Sequence, residues 1–329
     1  MPPDDWRNSF NSNVLRARRL FLASLSCYYF PTPGGGTPED KTHEYSGRNR
    51  PFRLALHVNA YRQPAPRKSP MSEHDLSRIR AQSPLVHNIT NYVVMNSTAN
   101  ALLAIGASPV MAHAAEEVEA MVALSRALVI NIGTLSGPWV AAMLKAAKLA
   151  ASRGIPIVLD PVGCGATAYR TATARALIEA ARPAVIRGNA SEIRALANSA
   201  GTTKGVDSLH TPDEAFNDAQ ALSRALGCVV SVSGPVDLIV ADDRVARVAN
   251  GHPMMTLVTG MGCTASALSG AFVAVNADPF EAATEAMVVM GVAGELAAEN
   301  AQGPGSFQMH FLDVLYGLND ADIAKRRKS

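Results

Sequence analysis

The chain has 329 residues, of which 48% are apolar and only 5% aromatic, so a core built from small aliphatic side chains is expected. The net charge of +2 is unevenly placed, because residues 1–70 carry eleven Lys and Arg against five Asp and Glu, whereas residues 71–329 carry nineteen against twenty-three. The acidic balance of the larger part argues against a nucleic-acid partner, and no apolar run reaches the length of about 20 residues that a membrane span needs.

The first 70 residues differ in composition from the rest of the chain. They are rich in proline and arginine and show little periodicity, so we expect mostly disorder there. Between Arg16 and Phe30, basic residues precede LFLASLSCYYF, which resembles a weak signal peptide but is short and lacks a clear cleavage site. We interpret residues 1–70 as an extension ahead of a true start at Met71, with the folded domain in residues 71–329.

From residue 83 onward, helical and extended patterns alternate, and the extended runs are continuously apolar. Continuous runs are typical of a parallel sheet that is buried on both faces. We therefore expect a single-domain α/β/α sandwich with a mostly parallel central sheet. In chain order the predicted elements are a helix at 91–105, an extended piece at 108–111, a helix at 115–126, a strand at 127–133, a helix at 137–153, a strand at 155–163, a helix at 171–181, a strand at 184–189, a helix at 190–198, a helix opening at Thr211, a strand at 228–234, a hairpin over 236–250 that turns at Asp242-Asp243, and helices at 262–275, 279–299 and 308–318.

Cysteine usage indicates the compartment. The cysteines are far apart in the chain and show no metal-ligand spacing, so we expect a reduced, cytoplasmic setting. They are Cys27, Cys164, Cys228 and Cys263.

The segment TGMGC, residues 259–263, leads directly into a predicted helix. Gly260 and Gly262 leave backbone N–H groups open to a ligand, and the helix behind them adds its positive end. The pattern predicts a pocket for a phosphoryl group, and we expect the pKa of the Cys263 thiol to fall in the first helical turn. A tight turn with a buried cysteine is the alternative interpretation.

Charged residues follow or end two of the predicted strands. Asp160 ends the strand in LDPVG and is a candidate for holding Mg²⁺ through water, or else for fixing its loop. In RGNASE, Arg187 offers a planar donor fork to a nucleotide phosphate, or else forms a surface ion pair. Glu192 lies three residues beyond Asn189 at a helix start, where it orients metal-bound water or simply favours the helix dipole.

Two further segments carry polar side chains near strand ends. Ser233, in VSVSGPVD, presents a hydroxyl to a phosphate, or else belongs to an ordinary turn. The stretch HNITNYVVMNSTAN, residues 87–100, offers amides to a neutral heterocycle, and Met111 offers a soft apolar wall. Helix capping by Asn91 and a packed core methionine are the alternatives.

Together these segments closely resemble the hydroxyethylthiazole kinases of the ribokinase-like superfamily. The likeness runs from Ser83 to about Leu318 and includes GPGSFQMHFLD. It implies a ribokinase-like fold, Mg²⁺-dependent transfer of phosphate from ATP to the hydroxyl of 5-(2-hydroxyethyl)-4-methylthiazole in thiamine synthesis, and a homotrimer with the thiazole pocket at the subunit boundary. Met261 departs from the G-T-G-C pattern of the family, and we expect activity to survive because the loop acts through its backbone.

The resemblance also implies roles for individual residues. Cys263 occupies the catalytic-base position, where most ribokinase-like kinases carry aspartate. The serine at position 233 stands where the family usually has threonine. The implied thiazole contacts are Met111, Gly260 and Asn88, the implied ATP contacts are Arg187, Ser233 and Gly262, and the implied magnesium-organising acids are Asp160 and Glu192.

Three other functions stay open at this point. A related kinase for a pyrimidine alcohol or a sugar usually shows an aspartate in place of Cys263. A hydrolase with a cysteine nucleophile needs a histidine against Cys263, for which His252 and His310 are available. A nucleotide-binding regulator without turnover is expected to lack the metal acids, yet Asp160 and Glu192 are present.

Overall fold

The computed structural model describes residues 75–199 and 212–328. The expected extension over residues 1–70 and the expected helix cap at Thr211 lie outside these residues. In chain order the elements are α1 (Asp75–Gln82), β1 (Leu85–Ile89), α2 (Met95–Ala104), β2 (Ser108–Val110), α3 (Val118–Leu124), β3 (Ala127–Asn131), α4 (Gly137–Ser152), β4 (Ile157–Asp160), α5 (Ala168–Ala181), β5 (Val185–Asn189), α6 (Ala190–Ser199), α7 (Pro212–Leu226), β6 (Val229–Ser233), β7 (Asp237–Ala241), β8 (Arg244–Val248), a 3₁₀ helix (Pro253–Leu257), α8 (Met261–Val273), α9 (Pro279–Asn300), α10 (Pro304–Gly317) and α11 (Asp320–Arg326).

The strands form one eight-stranded sheet in the order β2-β1-β3-β4-β5-β6-β7-β8. The pairs from β2 to β6 are parallel, and only β7 and β8 run antiparallel to their neighbours. The expected α/β sandwich with a mostly parallel sheet is confirmed. The described helices include none that is long and apolar enough to cross a membrane.

The sheet is buried on both faces, as the continuous apolar strands predict. In β3, Ala127 and Val129 pack into one hydrophobic cluster, while Leu128 and Ile130 pack into another on the opposite face. Helix α8 lies close against the first face. A Cβ atom on Gly270 would fall 2.4 Å from the Cγ2 atom of Val129, so the absent side chain lets the helix approach the strands. This close approach positions the first turn of α8 relative to the sheet.

One strand was missed from the sequence. Residues 85–89 form β1, which lies between β2 and β3 in the sheet, and helix α2 begins only at Met95 rather than at residue 91. His87 and Asn88 interrupt the apolar run, yet both side chains are buried. The Nε2 atom of His87 lies 2.6 Å from the carbonyl oxygen of Ala112, and burial lowers the pKa of the imidazole, so a neutral ring that donates to this carbonyl fits the interior.

Polar residues meet at the carboxyl ends of the parallel strands. Asn131, the last residue of β3, pairs in register with Asp160, the last residue of β4. Asn189 and Ser233 likewise end β5 and β6 in register. Parallel strands bring such residues to one edge of the sheet, which is where ligands bind in open α/β sheets.

Candidate active site

The glycine turn ahead of α8 has a backbone that only glycine adopts easily. Gly260 is the N-cap residue of α8 and has a φ of 85°. A Cβ atom there would lie 2.7 Å from the Cγ1 atom of Val94, in addition to the strain of the left-handed conformation. The first N–H groups of α8 have no partner within the helix, so the turn presents a positive end at the sheet edge.

Replacing Gly260 with alanine is expected to lower the free energy of unfolding by roughly 2 kcal/mol, because the strain and the contact with Val94 both oppose a side chain. The matched control is Gly137→Ala in the first turn of α4, where nothing lies within 4 Å of an added Cβ atom and φ is not in the left-handed region. Urea denaturation of both variants measures the difference. Equal stability of the two variants would contradict this account of the turn.

Cys263 lies in the first turn of α8 and is partly exposed. Its Sγ atom accepts a hydrogen bond from the Nδ2 atom of Asn91 at 3.5 Å. Burial, followed by the negative charge of Asp160, raises the pKa of the thiol to about 11. The expectation of a lowered pKa is therefore wrong, since burial and the nearby carboxylate outweigh the helix end and the charge of Arg187.

Asp160 is buried beneath this turn, with 2% of its surface exposed. Its Oδ2 atom accepts hydrogen bonds from the Oγ atom of Ser266 at 2.7 Å and from the Nδ2 atom of Asn131 at 2.8 Å. Burial raises the pKa of the carboxyl to about 6; the charge of Arg187 opposes this rise, and that of Glu192 adds to it. Asp160 is thus a carboxylate held in place under the glycine turn.

Glu192 joins two loops at the sheet edge. Its Oε2 atom accepts from the Asn189 N–H, and the Asn189 side chain accepts from the Glu192 N–H, so the two form a capping box at the start of α6. Its Oε1 atom accepts from the N–H of Gly163 in the LDPVG loop at 2.8 Å. Glu192 thus lies in the first turn of α6, as the helix-dipole alternative expects, and its charge acts on Asp160.

Arg187 lies within β5 and not beyond it, and only 7% of its surface is exposed. Its Nη1 atom donates to the carbonyl oxygen of Gly262 at 2.9 Å, while its buried Nε atom has no hydrogen-bond partner. The charge of Arg187 lowers the pKa of Asp160 and of Asp237 against the effect of burial. The structure therefore places a buried cation under the glycine turn instead of a surface ion pair.

Ser233 ends β6 next to Arg187's strand. Its Oγ atom donates to the carbonyl oxygen of Gly188 at 3.3 Å and remains partly exposed. The following turn is held by Asp237, whose Oδ1 atom accepts from the N–H of Gly234 at 3.0 Å. The hydroxyl is thus available at the same edge as the glycine turn.

The residues expected to contact a heterocycle lie at different depths. Met111 follows β2 and is partly buried, and its carbonyl oxygen lies 3.2 Å from the Nδ1 atom of His113. Asn88 is 1% exposed within β1, and its Nδ2 atom donates to the carbonyl oxygen of Val86. Asn88 is therefore buried in the interior of the domain, whereas Met111 and Gly260 are partly exposed.

Several site residues were missed from the sequence. Asn131 and Ser266 hold Asp160, and Arg170 donates to the carbonyl oxygens of Ile132, Gly133 and Val162. Asn131 was foreseeable as a polar residue that ends an apolar strand beside Asp160. Ser266, three residues after Cys263 on a helix, was foreseeable from spacing alone, whereas nothing near Arg170 signals its contacts.

The described residues contain no group of three or more His, Cys, Asp and Glu that is arranged to hold a metal ion by itself. Asp160 and Glu192 fit Mg²⁺ nonetheless, since this ion is usually bound through one or two carboxylates, several waters and the phosphates of a substrate. The charge of Glu192 raises the pKa of Asp160, which is consistent with two carboxylates that lie close together. A nucleophilic pairing of Cys263 with His252 or His310 is not supported, because among the described residues the Cys263 Sγ atom bonds to Asn91 and to neither histidine.

The sheet, the glycine turn and the strand-end acids define the class of protein. The chain matches a ribokinase-like superfamily protein from Enterococcus faecalis with a TM-score of 0.51 at 12% identity, over 76% of this chain and 91% of that chain. The fold is ribokinase-like, and a buried cation, two carboxylates and a helix end lie at the edge of its sheet.

The family follows from closer relatives. Residues 76–321 match the hydroxyethylthiazole kinase family. The chain is 60% identical over 249 residues to the hydroxyethylthiazole kinase of Syntrophus aciditrophicus, covering 75% of this chain and 92% of the relative. It is 46% identical to the solved hydroxyethylthiazole kinase protein of Pyrococcus horikoshii, with a TM-score of 0.73 over 77% of this chain and 96% of that one. The chain belongs to the hydroxyethylthiazole kinase family.

Proposed function

We propose that the chain transfers the terminal phosphoryl group of ATP to the hydroxyl of 5-(2-hydroxyethyl)-4-methylthiazole, in thiamine biosynthesis or salvage. Membership of the hydroxyethylthiazole kinase family over residues 76–321 carries this proposal. The direct test is release of ADP by protein that starts at Met71, with ATP, Mg²⁺ and the thiazole alcohol. Equal ADP release without the alcohol, or with a pyrimidine alcohol or a sugar in its place, would contradict it.

The substrate hydroxyl is placed beside Cys263, and the terminal phosphate lies over the first turn of α8. At neutral pH a thiol whose pKa is about 11 is protonated. The sulfur therefore first orients the alcohol as a hydrogen-bond acceptor. To act as the base, the thiol must first give its own proton to solvent. The resulting thiolate then receives the proton of the substrate hydroxyl, which leaves late in a loose transition state.

ATP is held on the other side of the glycine turn. The guanidinium of Arg187, which is fixed by the Gly262 carbonyl oxygen, neutralises phosphate charge, and the hydroxyl of Ser233 supplies a further contact. Asp160 and Glu192 would hold Mg²⁺ through water. The ion, when bound, neutralises charge on the phosphates.

Cys263→Ala is expected to lower kcat roughly 100-fold without abolishing turnover, which is the low end for general base catalysis. Cys263→Asp is expected to retain or raise kcat, because a carboxylate occupies this position in most ribokinase-like kinases. Steady-state ADP release by both variants tests the base role. An unchanged rate in the alanine variant would refute it.

The remaining features are proposed from the family and from the surface of the described chain. The thiazole pocket contains Met111 and Gly260 and lies at the boundary of a homotrimer, whereas Asn88 is buried within β1 and is not proposed as a direct contact. Tyr92 and Val93, each 64% exposed beside the site, offer apolar surface for such a boundary. The folded domain spans residues 71–329 and works in the cytoplasm. Light scattering that gave a monomer mass at working concentration would contradict the trimer.

A further inference from the structure

A chain of side-chain hydrogen bonds joins Cys263 to Asp160. The Nδ2 atom of Asn91 donates both to the Sγ atom of Cys263 at 3.5 Å and to the Oδ1 atom of Asn131 at 2.8 Å. The Nδ2 atom of Asn131 donates in turn to the Oδ2 atom of Asp160 at 2.8 Å. Ser266 closes the circuit, because it donates to the same Asp160 oxygen from the helix that carries Cys263. Three neighbouring strand ends thus contribute one polar residue each.

The direction of this chain is fixed by backbone N–H groups. The N–H of Val93 donates to the Oδ1 atom of Asn91 at 3.1 Å, and the N–H of Gly133 donates to the Oδ1 atom of Asn131 at 2.9 Å. A backbone N–H can only donate, so both amide oxygens are assigned and neither amide can be flipped without losing a bond. The amide nitrogen of Asn91 must therefore face the sulfur.

The surrounding packing leaves Asn91 little freedom. Only 4% of its surface is exposed. A Cβ atom on Gly133 would lie 2.5 Å from the Nδ2 atom of Asn91, so the glycine after β3 makes room for the amide. With one N–H held by Asn131, the other is directed at Cys263, and it occupies one acceptor direction of the sulfur. The remaining directions are open to the exposed side of the turn.

We propose that Asn91 is a positioning residue for phosphoryl transfer, which holds the Cys263 sulfur as an acceptor aimed at the substrate hydroxyl and acts through this sulfur rather than on the substrate. The inference rests on the proposed base role of Cys263. Asn91 is therefore proposed to position Cys263 and not to cap helix α2. The N-cap residue of α2 is Val94, and no side chain makes a capping hydrogen bond there.

Asn91→Asp tests the inference with an isosteric change. The aspartate keeps the acceptor for the Val93 N–H but loses the N–H groups that face Cys263 and Asn131. We expect kcat to fall about 10-fold, as for loss of the hydrogen bond that orients Cys263, with both KM values within about twofold. The matched control is Asn100→Asp on α2, whose amide is exposed and bonds to Asn96, and for which kcat should be unchanged. Full kcat in Asn91→Asp would overturn the inference.

A double-mutant cycle separates action through the sulfur from other causes. In a Cys263→Ala background, Asn91→Asp should change kcat less than about twofold, because the group that it positions is already gone. An equal 10-fold loss in both backgrounds would overturn the inference, since Asn91 would then act directly or through the fold. A wild-type rate in Cys263→Ala alone would overturn both the base role and the inference. Asn91→Ser, which keeps an acceptor near Val93 in a smaller side chain, should show the same non-additivity if the aspartate variant folds poorly.

Discussion

Replacing Asp160 with asparagine is expected to lower kcat roughly 1,000-fold while the chain stays folded. An amide oxygen can still accept from Ser266 and Asn131, which hold the present carboxylate, so the local geometry survives. What disappears is the buried negative charge that, with Glu192, is proposed to organise Mg²⁺. Steady-state ADP release over a range of Mg²⁺ concentrations measures the effect. A wild-type rate at saturating Mg²⁺ would contradict the role of Asp160.

The same variant should change the pH dependence of stability. Burial raises the pKa of Asp160 from its ordinary 3.8 to about 6. A carboxyl whose pKa is raised by folding stabilises the native state while it is protonated, and this contribution is lost as the pH rises from about 4 to about 6. Across this window the free energy of unfolding of the wild-type chain should therefore fall by about 3 kcal/mol more than that of Asp160→Asn.

Urea denaturation at pH 4 and pH 7 in metal-free buffer measures this difference. The matched control is Asp243→Asn, which alters an exposed carboxylate in the β7–β8 turn. Its pH dependence should follow that of the wild type. If Asp160→Asn also followed the wild type, Asp160 would not be the group whose protonation stabilises the fold.

The fold was largely predictable because apolar burial dominates most of its elements. The strands that contain Val129, Val158 and Val230 are continuous apolar runs, and each was found within a few residues of its observed bounds. Strand β1 was missed because two of its residues, His87 and Asn88, are polar and buried. His87 bonds to the backbone carbonyl of the distant Ala112, and Asn88 bonds to that of the nearby Val86. Hydrophobic periodicity encodes neither contact.

The candidate site was predictable in its parts but not in its connections. Asp160 and Glu192 were recognisable because each ends or follows a strand, and the glycine turn was recognisable because it leads directly into a helix. The pKa of Cys263 was predicted in the wrong direction because the helix end is visible in the sequence, whereas the burial of the thiol and its nearness to Asp160 are not. Neither sequence interpretation of Asn91, an amide for a heterocycle or a helix cap, includes its contact with Cys263, because that contact spans 172 positions of the chain.

Arg187→Ala is expected to lower kcat/KM for ATP roughly 1,000-fold, mainly through a raised KM, because loss of a buried charge from a phosphate contact costs about 4 kcal/mol. The guanidinium is buried under the glycine turn and fixed by the Gly262 carbonyl oxygen, so it is already oriented before the nucleotide arrives. Its unpartnered Nε atom shows that its donors are not all used by the protein. KM for the thiazole should change less than about twofold, since the contact is proposed for ATP alone.

Arg187→Lys separates charge from geometry. A lysine keeps the cation but has a single nitrogen, which cannot both hold the Gly262 carbonyl oxygen in the present geometry and offer a planar fork to a phosphate. We expect a loss of roughly 30-fold in kcat/KM for ATP, between the wild type and the alanine variant. Arg244→Ala on β8 is the control, because that guanidinium is exposed and pairs with Asp278 and Glu281. A selective loss of thiazole binding in either Arg187 variant would show that Arg187 contacts the thiazole and not ATP, and it would contradict the proposal. A selective loss of ATP binding would confirm that the cation under the glycine turn binds the nucleotide.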